Sequence, residues 1–248
     1  MDKTAILSEP VSILMPVCNE SDVIRDVVDE WARDVIRFLP AGSELVFDDC
    51  SSDGTDAILA ELAATIYPFI RVNRTRRDGF GAAAKRLYAT ARCPLIFFTD
   101  SDGQYMPEDF WTVAAALPNA DMVHGYKVGR QDPLYRIVAS AVFTHLAHLF
   151  FGSRGHDVNS AFRLMRRDLV ETLVPDVCRL PVQPNAELYI RAESLGWRVI
   201  DIPVRHRQRL MGISRGLPPK TFLWEGWRSF IGLFLLKRDL ATAPRRRQ

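Results

Sequence analysis

The chain has 248 residues, of which 48% are hydrophobic and 25% are charged. These values are typical of a soluble protein, and the length is enough for one large α/β domain. The 32 basic residues exceed the 30 acidic ones by only two, which gives a formal net charge of +2. A charge this small excludes a protein whose overall field attracts nucleic acid, so we expect no nucleic-acid partner.

The termini and the cysteines indicate a cytoplasmic protein. The segment MDKTAILSEP lacks a basic start and a long apolar stretch, so no signal peptide is predicted. No apolar run reaches the roughly 20 residues that cross a bilayer. Cysteines occur far apart in the sequence and form no metal-type pair, and we expect reduced thiols in the core: Cys18, Cys50, Cys93 and Cys178.

Predicted strands and helices alternate through the first hundred residues. Apolar, β-branched and aromatic runs predict strands at 11–17, 43–49, 69–74 and 94–100. Apolar residues at helical spacing predict helices at 21–38, 56–66 and 82–91. This alternation favours an α/β fold with a doubly wound, mostly parallel sheet flanked by helices.

Two amphipathic helices are predicted in the C-terminal half. The first, residues 135–151, is apolar except for polar residues at every fourth position, which form one helical stripe: Arg136, Ser140, Thr144 and His148. The second spans residues 222–236.

Between these helices the patterns predict a strand at 160–168 that leads into a turn, a helix at 187–195 and a last strand at 198–207. We therefore expect a main domain, a C-terminal amphipathic helix and a disordered basic tail, at 1–218, 219–240 and 241–248.

Acidic turns follow three predicted strands, at Asn19-Glu20, Asp48-Asp49 and Asp100-Ser101-Asp102. The carboxyl ends of parallel strands meet at one edge of a sheet, and ligands bind there. Acids gathered at that edge would repel one another unless a cation or hydrogen-bond donors lay among them. The sequence thus predicts a ligand site at this edge. A further acid, Asp53 in SSDGT, fits a turn or a helix cap.

Asp100 and Asp102 are two residues apart, which in an extended segment places both carboxylates on one side. With the amide oxygen of Gln104 they suit a hard divalent cation, Mg²⁺ or Mn²⁺. Such a cation keeps some waters and takes its remaining ligands from a substrate diphosphate. An isolated Asp-x-Asp occurs by chance in many proteins, but this one follows an apolar strand at the edge where ligands bind.

The chain resembles the family 2 glycosyltransferases of GT-A fold, and among them the dolichyl- or polyprenyl-phosphate sugar synthases. Seven segments between residues 12 and 214 carry the resemblance, in the family's order: SILMPVCNE, VFDDCSSDGT, RDGFGAAAKR, FFTDSDGQY, DVNSAFRLMRR, AELYIRAESLGWRVIDIPV and RHRQRLMGIS. It implies a GT-A, Rossmann-like fold and a metal-dependent transfer of sugar from a GDP- or UDP-sugar, with inversion at the anomeric carbon.

The resemblance also implies which residues bind the donor. Asp102 would be the main metal ligand, supported by Asp100 and Gln104. Gly79 and Gly81 match a turn over the nucleotide, where glycine would let the backbone approach the ligand, although a plain helix start fits them equally. The implied nucleotide-sugar contacts are Pro16, Asn19, Glu20, Asp49, Gly79, Gly81, Asp100 and Asp102.

Four further residues concern catalysis and the acceptor. Asp157 matches an acid near the acceptor, and it is either a general base, a positioning residue or a turn acid that bonds backbone. Arg209, with Ser214, matches a segment that binds the acceptor phosphate, for which a planar guanidinium is suited. Lys127 stands where relatives often carry arginine, and lysine lacks the bidentate fork.

The amphipathic helices favour a polyprenyl-phosphate acceptor. Both are too short to cross a bilayer but suit its surface, and Trp224, Trp227, Lys237 and Arg238 have the aromatic and basic character of an interfacial anchor. We therefore expect a peripheral protein at the cytoplasmic face of the membrane. Alternatively, both helices pack on the core or form a homodimer interface.

Other functions remain open at this point. The enzyme could act on a soluble sugar or a polysaccharide hydroxyl, which would need a carboxylate as base. The chain could also be a non-catalytic nucleotide- or phosphate-binding module of receiver type, although such a module would not need the acidic turn, the glycine turn and the arginine segment together. A nicotinamide-dependent dehydrogenase is disfavoured because no G-x-G-x-x-G follows the first strand.

Overall fold

A computed structural model of the protein describes residues 3–129, 133–208 and 222–246. Seven strands in these ranges form one sheet, in the order β3-β2-β1-β4-β6-β5-β7. The strands are β1 (Val11–Val17), β2 (Glu44–Asp49), β3 (Ile70–Arg74), β4 (Leu95–Phe98), β5 (Met122–Val128), β6 (Arg163–Arg166) and β7 (Val199–Arg205). Only β6 runs antiparallel to its two neighbours, so the prediction of a mostly parallel sheet is confirmed.

Helices cover both faces of the sheet and make β1, β2 and β4 almost fully buried. This explains why these strands are continuously apolar rather than alternating. An aromatic cluster fills the core beside β4, where the Phe97 ring lies 4.7 Å from that of Phe162 and 5.0 Å from that of Phe110. The helices are α1 (Ile24–Asp34), α2 (Thr55–Thr65), α3 (Phe80–Thr90), α4 (Phe110–Ala116), α5 (Leu134–Phe151), α6 (Arg167–Leu173), α7 (Pro184–Ser194) and α8 (Phe222–Thr242).

Three elements were not predicted from the sequence. β5 contains Gly125 and polar residues, which weaken a strand pattern. The glycine is needed there because a Cβ would lie 2.9 Å from side-chain atoms of both Phe162 and Val204. α4 and α6 have seven residues each, too few to show a clear period. α6 begins directly after β6, where a turn was expected.

The expectation of core thiols is correct only for Cys93, which is buried. Cys178 is exposed, and Cys18 and Cys50 are partly buried. Cys18 and Cys50 are also neighbours in space, because they directly follow the adjacent strands β1 and β2. Their separation in the sequence therefore hid a pair of thiols at the carboxyl edge of the sheet.

Helices α5 and α8 pack against each other and expose apolar side chains. Phe150 of α5 contacts Phe230 of α8, with ring centroids 5.9 Å apart. The exposed set on these two helices comprises Leu134, Tyr135, Val138, Val142, Leu149, Trp224, Trp227, Phe230, Ile231 and Phe234. By length and composition alone α5, with 18 residues and a mean hydropathy of 1.4, could cross a membrane. The prediction that it is too short to do so is therefore wrong on this criterion.

The C-terminal residues also differ from expectation. α8 continues to Thr242 rather than ending at 236. Beyond it, the guanidinium of Arg246 lies 4.0 Å from the ring centroid of Trp197 and 3.2 Å from the carboxylate of Asp121. Residues 241–246 therefore depart from the disordered tail that the sequence suggested.

A buried carboxylate connects α7 to the segment that contacts α8. Glu187 is fully buried and accepts backbone N–H bonds from Cys178, Arg179 and Leu180 at 3.0, 2.7 and 2.7 Å. Arg191, one turn further along α7, pairs with it at 2.8 Å. Because the Arg179 side chain pairs with Asp239 of α8 at 2.7 Å, Glu187 helps to hold the C-terminal helix in place.

We expect Glu187→Gln to destabilise the fold by about 3–5 kcal/mol, because it leaves the Arg191 charge buried without a full counter-charge. The free energy of unfolding, measured by chemical denaturation, checks this. Glu171→Gln is the matched control. It removes an exposed i,i+4 partner of Arg167 and should change stability by less than about 0.5 kcal/mol. Equal effects of the two substitutions would contradict the role of Glu187.

Candidate active site

The ends of β1, β2 and β4 lie side by side, as the acidic turns predicted. Val17 pairs in register with Asp49, and Leu14 pairs with Phe98. Ser101 joins the turn after β4 to β1 by donating its hydroxyl to the carbonyl of Pro16 at 2.8 Å. The segments that contain Pro16, Asp49 and the Asp100–Asp102 turn therefore form one continuous edge.

The turns after β1 and β2 hold each other through hydrogen bonds. Asn19 has a φ of 59°, in the left-handed region that asparagine tolerates better than most residues. Its backbone N–H donates to the hydroxyl of Ser51 at 2.7 Å, and its side-chain oxygen accepts the N–H of Ser52 at 2.7 Å. The N–H of Glu20 donates to Thr55 Oγ1 at 3.0 Å. Asn19 and Glu20 are thus fixed in place before any ligand binds.

Arginines offset the two acids at the end of β2. Asp49 is fully buried, pairs with Arg74 and accepts the N–H of Ser51 at 2.8 Å. Asp48 is held by Arg86 through two hydrogen bonds, at 3.0 and 2.8 Å. Hydrogen bonds to the Asp48 and Asp78 carboxylates raise the pKa of Arg86 above its ordinary value. No sequence pattern indicated that Arg86 pairs with Asp48. For Arg74, its position at the end of a predicted strand was the available signal for its pairing with Asp49.

Gly79 and Gly81 both have structural explanations. Gly79 precedes α3 with a φ of 104°, a conformation that glycine adopts without strain. A Cβ at position 81 would lie 2.6 Å from the carbonyl oxygen of Pro181, so this glycine lets α3 pack against the segment before α7. A helix start and close packing account for both residues, and contact with a nucleotide stays a prediction.

The turn after β4 is held by the end of β7. The side-chain amide of Gln104 donates to the carbonyl of Arg207 at 3.2 Å, and the backbone carbonyl of Gln104 accepts the N–H of Arg207 at 2.8 Å. The Arg207 guanidinium binds the carbonyl of Gly103 and pairs with Glu30 of α1 at 2.6 Å. In the sequence Arg207 lay at the end of a predicted strand, within the segment RHRQRLMGIS, and the fold makes it a brace for the acidic turn.

Glu108 and Asp109 do not belong to the acidic group at the edge. Arg205 binds Asp109 at 2.7 Å and lies 3.5 Å from Glu108. Asp100 and Asp102, in contrast, directly follow the carboxyl end of β4.

The residues after β4 fit a divalent cation by their chemistry. Asp100, Asp102 and Gln104 are half-buried and offer hard oxygen ligands within five positions. Asp102 also accepts the N–H of Gln104 at 3.1 Å, which fixes the turn between them. Within the described part of the chain, no group of three or more His, Cys, Asp or Glu side chains could hold a metal. A cation here would therefore complete its shell with water or with a bound diphosphate.

A second group of polar side chains lies on the other side of Tyr105. The Tyr105 hydroxyl bonds Ser160 at 2.9 Å. Burial raises the pKa of this tyrosine to about 12, while the nearby charge of Lys127 lowers it and that of Asp100 raises it. Asp157 accepts the hydroxyl of Ser140 at 3.1 Å and lies 4.0 Å from the ammonium of Lys127. Asp157, Lys127 and Ser140 thus form a polar cluster near Tyr105, whose ring centroid lies 5.8 Å from the Lys127 ammonium.

The backbone of Asp157 is fixed by a neutral histidine. His124 is fully buried, and its Nε2 lies 2.8 Å from the carbonyl oxygen of Asp157. Burial and the charge of Arg163 lower the His124 pKa to about 4, so the neutral ring donates its N–H. No sequence pattern indicated that His124, Lys127 and Ser140 lie beside Asp157. Arg209 and Ser214, which it named for the acceptor phosphate, lie outside the described residues.

Comparison with known proteins decides the family. The model of glycosyl transferase family 2 matches residues 12–174, more than half of the chain.

The chain belongs to glycosyl transferase family 2. The family resemblance seen in the sequence is confirmed, and the protein is a glycosyltransferase. It is 27% identical over 221 residues to the polyprenol monophosphomannose synthase of Mycolicibacterium smegmatis, covering 82% of this chain and 79% of that protein. It is also 27% identical over 234 residues to the undecaprenyl-phosphate 4-deoxy-4-formamido-L-arabinose transferase of Klebsiella pneumoniae subsp. pneumoniae, covering 94% of this chain and 66% of that protein.

The fold of this glycosyltransferase is GT-A, as predicted. A crystal structure of glucosyl-3-phosphoglycerate synthase from Mycobacterium tuberculosis with Mn²⁺ and UDP-glucose matches it with a TM-score of 0.67. The two chains are 18% identical, and the match covers 93% of this chain and 80% of the other. A likeness at this identity concerns the fold alone.

Asp53 provides a pH-dependent test of the turn after β2. The residue has the turn role predicted for it, since its carboxylate accepts Thr55 Oγ1, Thr55 N and Ser21 N at 2.6, 3.1 and 3.2 Å. Desolvation opposes the charged form, but these hydrogen bonds outweigh it and lower the pKa to about 2. The unfolded chain has an Asp pKa of about 3.9. The carboxylate therefore stabilises the fold above pH 4 and loses that contribution as pH falls to 2.

We expect the difference in unfolding free energy between the wild type and Asp53→Asn to favour the wild type at pH 5 and to shrink between about pH 4 and 2. Urea denaturation at a series of pH values measures it. Asp26→Asn, at an exposed position of α1, should give a difference that changes less over this range. A constant difference for Asp53→Asn would show that its hydrogen bonds do not depend on the charge.

Proposed function

We propose that this glycosyltransferase moves a sugar from a GDP- or UDP-sugar to a polyprenyl phosphate at a membrane surface, using Mg²⁺ or Mn²⁺ and inverting the anomeric carbon. Residues 1–218 would form the catalytic domain, and residues 219–240 would contribute a helix to the membrane surface. The names of two relatives, which specify polyprenol and undecaprenyl-phosphate substrates, support the acceptor class. We further propose that the protein is peripheral at the cytoplasmic face.

The donor would occupy the edge formed by β1, β2 and β4. Its nucleotide would contact Pro16, Asn19, Glu20 and Asp49, with Gly79 and Gly81 nearby. Asp100, Asp102 and Gln104 would hold the cation, which neutralises charge on the diphosphate that leaves. A protein of the same fold was crystallised with Mn²⁺ and UDP-glucose, which supports a divalent cation and a nucleotide-sugar donor.

The observation that carries the acceptor proposal is the placement of α5. On one side of this helix Ser140 bonds Asp157 beside Lys127, and Arg136 lies one turn earlier on the same stripe. On the other side Val138, Val142 and Leu149 are exposed. A single helix therefore joins a polar cluster with cationic side chains to an apolar surface. A polyprenyl phosphate has the same two parts, an anionic head and a long apolar chain.

The reaction would form a bond from a phosphate oxygen of the acceptor to the anomeric carbon. The bond from that carbon to the donor diphosphate would break on the opposite face, and its electron pair would leave with the nucleoside diphosphate. A phosphate monoester is already ionised near neutral pH, since its second pKa is about 6. No residue then has to remove a proton, and Asp157 would position Ser140 and the Lys127 ammonium rather than act as a base.

A hydroxyl acceptor, such as a soluble sugar or a polysaccharide, would require Asp157 as the general base instead. The buried Asp157 carboxylate beside Ser140 and Lys127 favours this second candidate, because a base needs such a carboxylate near the acceptor. The identity of the acceptor therefore separates the two candidates directly.

One incubation tests donor, acceptor and metal together. Purified protein, Mn²⁺ and polyprenyl phosphate are mixed with a panel of labelled UDP- and GDP-sugars, and we expect label in the organic phase with one of these donors. Asp102→Asn should lower that transfer by at least about a hundredfold, because it removes a charged metal ligand. The matched control, Asp26→Asn at an exposed position of α1, should retain it. Label that stays in the aqueous phase with every donor would overturn the lipid acceptor.

A separate experiment tests the membrane surface. Trp224 and Trp227 are 63% and 58% exposed on α8, and the double change to serine removes apolar area that a bilayer interface would bury. We expect binding to anionic phospholipid vesicles, measured by flotation, to weaken by at least about tenfold. Ile66→Ser is the control, since Ile66 is 52% exposed on another part of the molecule. Equal binding by all three proteins would favour a core or dimer role for α8.

A further inference from the structure

Cys18 and Cys50 directly follow β1 and β2, next to Asn19 and Asp49, which the proposed function assigns to the nucleotide. Val17 and Asp49 are paired in register, so the two cysteines are the next pair. The N–H of Cys50 donates to the carbonyl of Val17 at 3.1 Å, which continues the strand pairing to this position. Adjacent strands are separated by about 4.8 Å, and a disulfide links Cα atoms about 4.4–6.8 Å apart. The backbone spacing is therefore suitable for a disulfide.

The two side chains also contact each other and are accessible. The sulfur of Cys18 lies 3.8 Å from the carbonyl oxygen of Cys50. Desolvation, followed by a hydrogen bond with the Cys18 side chain, raises the pKa of the Cys50 thiol to about 12. Both residues are partly exposed, whereas Cys93 is buried. A small oxidant can thus reach this pair, and a local shift of the two strand ends would bring the sulfurs within bonding distance.

We propose that Cys18 and Cys50 form a reversible redox modification site, whose disulfide weakens nucleotide binding at the adjoining strand ends. The disulfide itself is independent of the enzyme's substrate. Its effect on the nucleotide rests on the proposed function, which assigns Asn19 and Asp49 to the donor.

The oxidant would be a low-molecular-weight disulfide. The Cys18 thiolate attacks one of its sulfurs, the sulfur–sulfur bond breaks, and one small thiolate leaves with the electron pair. Cys50 then gives its proton to solvent, and its thiolate attacks the Cys18 sulfur and expels the second small thiolate. The two cysteines lose two electrons and two protons, and the small disulfide becomes two thiols. Because desolvation raises the pKa of Cys50, the second step is faster at alkaline pH.

The disulfide would disturb the turn that follows β1. Two bonded sulfurs lie about 2.05 Å apart, much closer than two thiols in contact. The strand ends must shift to allow this, and the next residue is Asn19, whose left-handed backbone depends on hydrogen bonds with Ser51 and Ser52. We therefore expect loss of the fixed geometry that a nucleotide would recognise.

Mass spectrometry tests the modification. The folded protein is incubated with oxidised glutathione, alkylated and digested with trypsin, which cleaves after Arg25, Arg33 and Arg37 and so separates the two cysteines. We expect a mass loss of about 2 Da and a crosslink between the peptides of Cys18 and Cys50, both reversed by dithiothreitol. A stable mixed disulfide without the crosslink, or a crosslink to Cys93 or Cys178, would overturn the proposal.

Calorimetric titration with UDP and GDP in Mn²⁺ tests the consequence. We expect oxidised protein to bind the preferred nucleotide at least about tenfold more weakly than reduced protein. The double variant Cys18→Ser/Cys50→Ser should have one affinity with and without oxidant, and the control Cys178→Ser should respond as the wild type does. A disulfide that leaves nucleotide affinity unchanged would refute the regulatory effect. If reduced protein binds neither nucleotide, the proposed function fails, and the crosslink still decides the redox site.

Discussion

Carboxylates converge where the parallel strands end, and the cost of bringing like charges together has to be offset by cations from other parts of the fold. Arg74 of β3 and Arg86 of α3 do this for Asp49 and Asp48. Lys127, at the end of β5, lies 4.0 Å from Asp157. Each of these three cations lies on a different strand or helix from the acid that it offsets. The edge of the sheet is therefore stable only when the whole sheet is assembled, and this couples the site to the fold.

The antiparallel strand β6 gives the site its second side. Because β6 runs against β4 and β5, its amino end lies at the edge where its neighbours have their carboxyl ends. The segment that precedes it, with Asp157 and Ser160, is thereby brought beside Tyr105 and opposite the Asp100–Asp102 turn. α5 then extends from the contact between Ser140 and Asp157 to an exposed apolar surface shared with α8. One reversed strand thus places Asp157 and Ser160 at the same edge of the sheet as the Asp100–Asp102 turn.

Several residues that the sequence marked as ligand contacts also maintain the fold. Asp49 pairs with Arg74, and Gly81 leaves room for the carbonyl of Pro181. Asn19 fixes the turn between β1 and β2 through Ser51 and Ser52. Sequence motifs select for both properties at once, since a turn that binds a phosphate or a base must first be held rigid. A motif therefore identifies where the site lies more reliably than it identifies which atoms contact a ligand.

The sequence by itself determined the parallel half of the sheet, the acidic turns and the family. Buried strands, turn residues and helical spacing are local patterns that can be read from the sequence. Seven motifs in the family's order are specific enough to indicate the family. Only the tertiary structure decided which cation offsets which acid. It brought Lys127 of β5 and Ser140 of α5 to Asp157. It also made Cys18 and Cys50 neighbours. β5 and the short helices α4 and α6 also emerged only there. These features depend on contacts between residues distant in the chain, which strand order and packing establish and which no local pattern encodes.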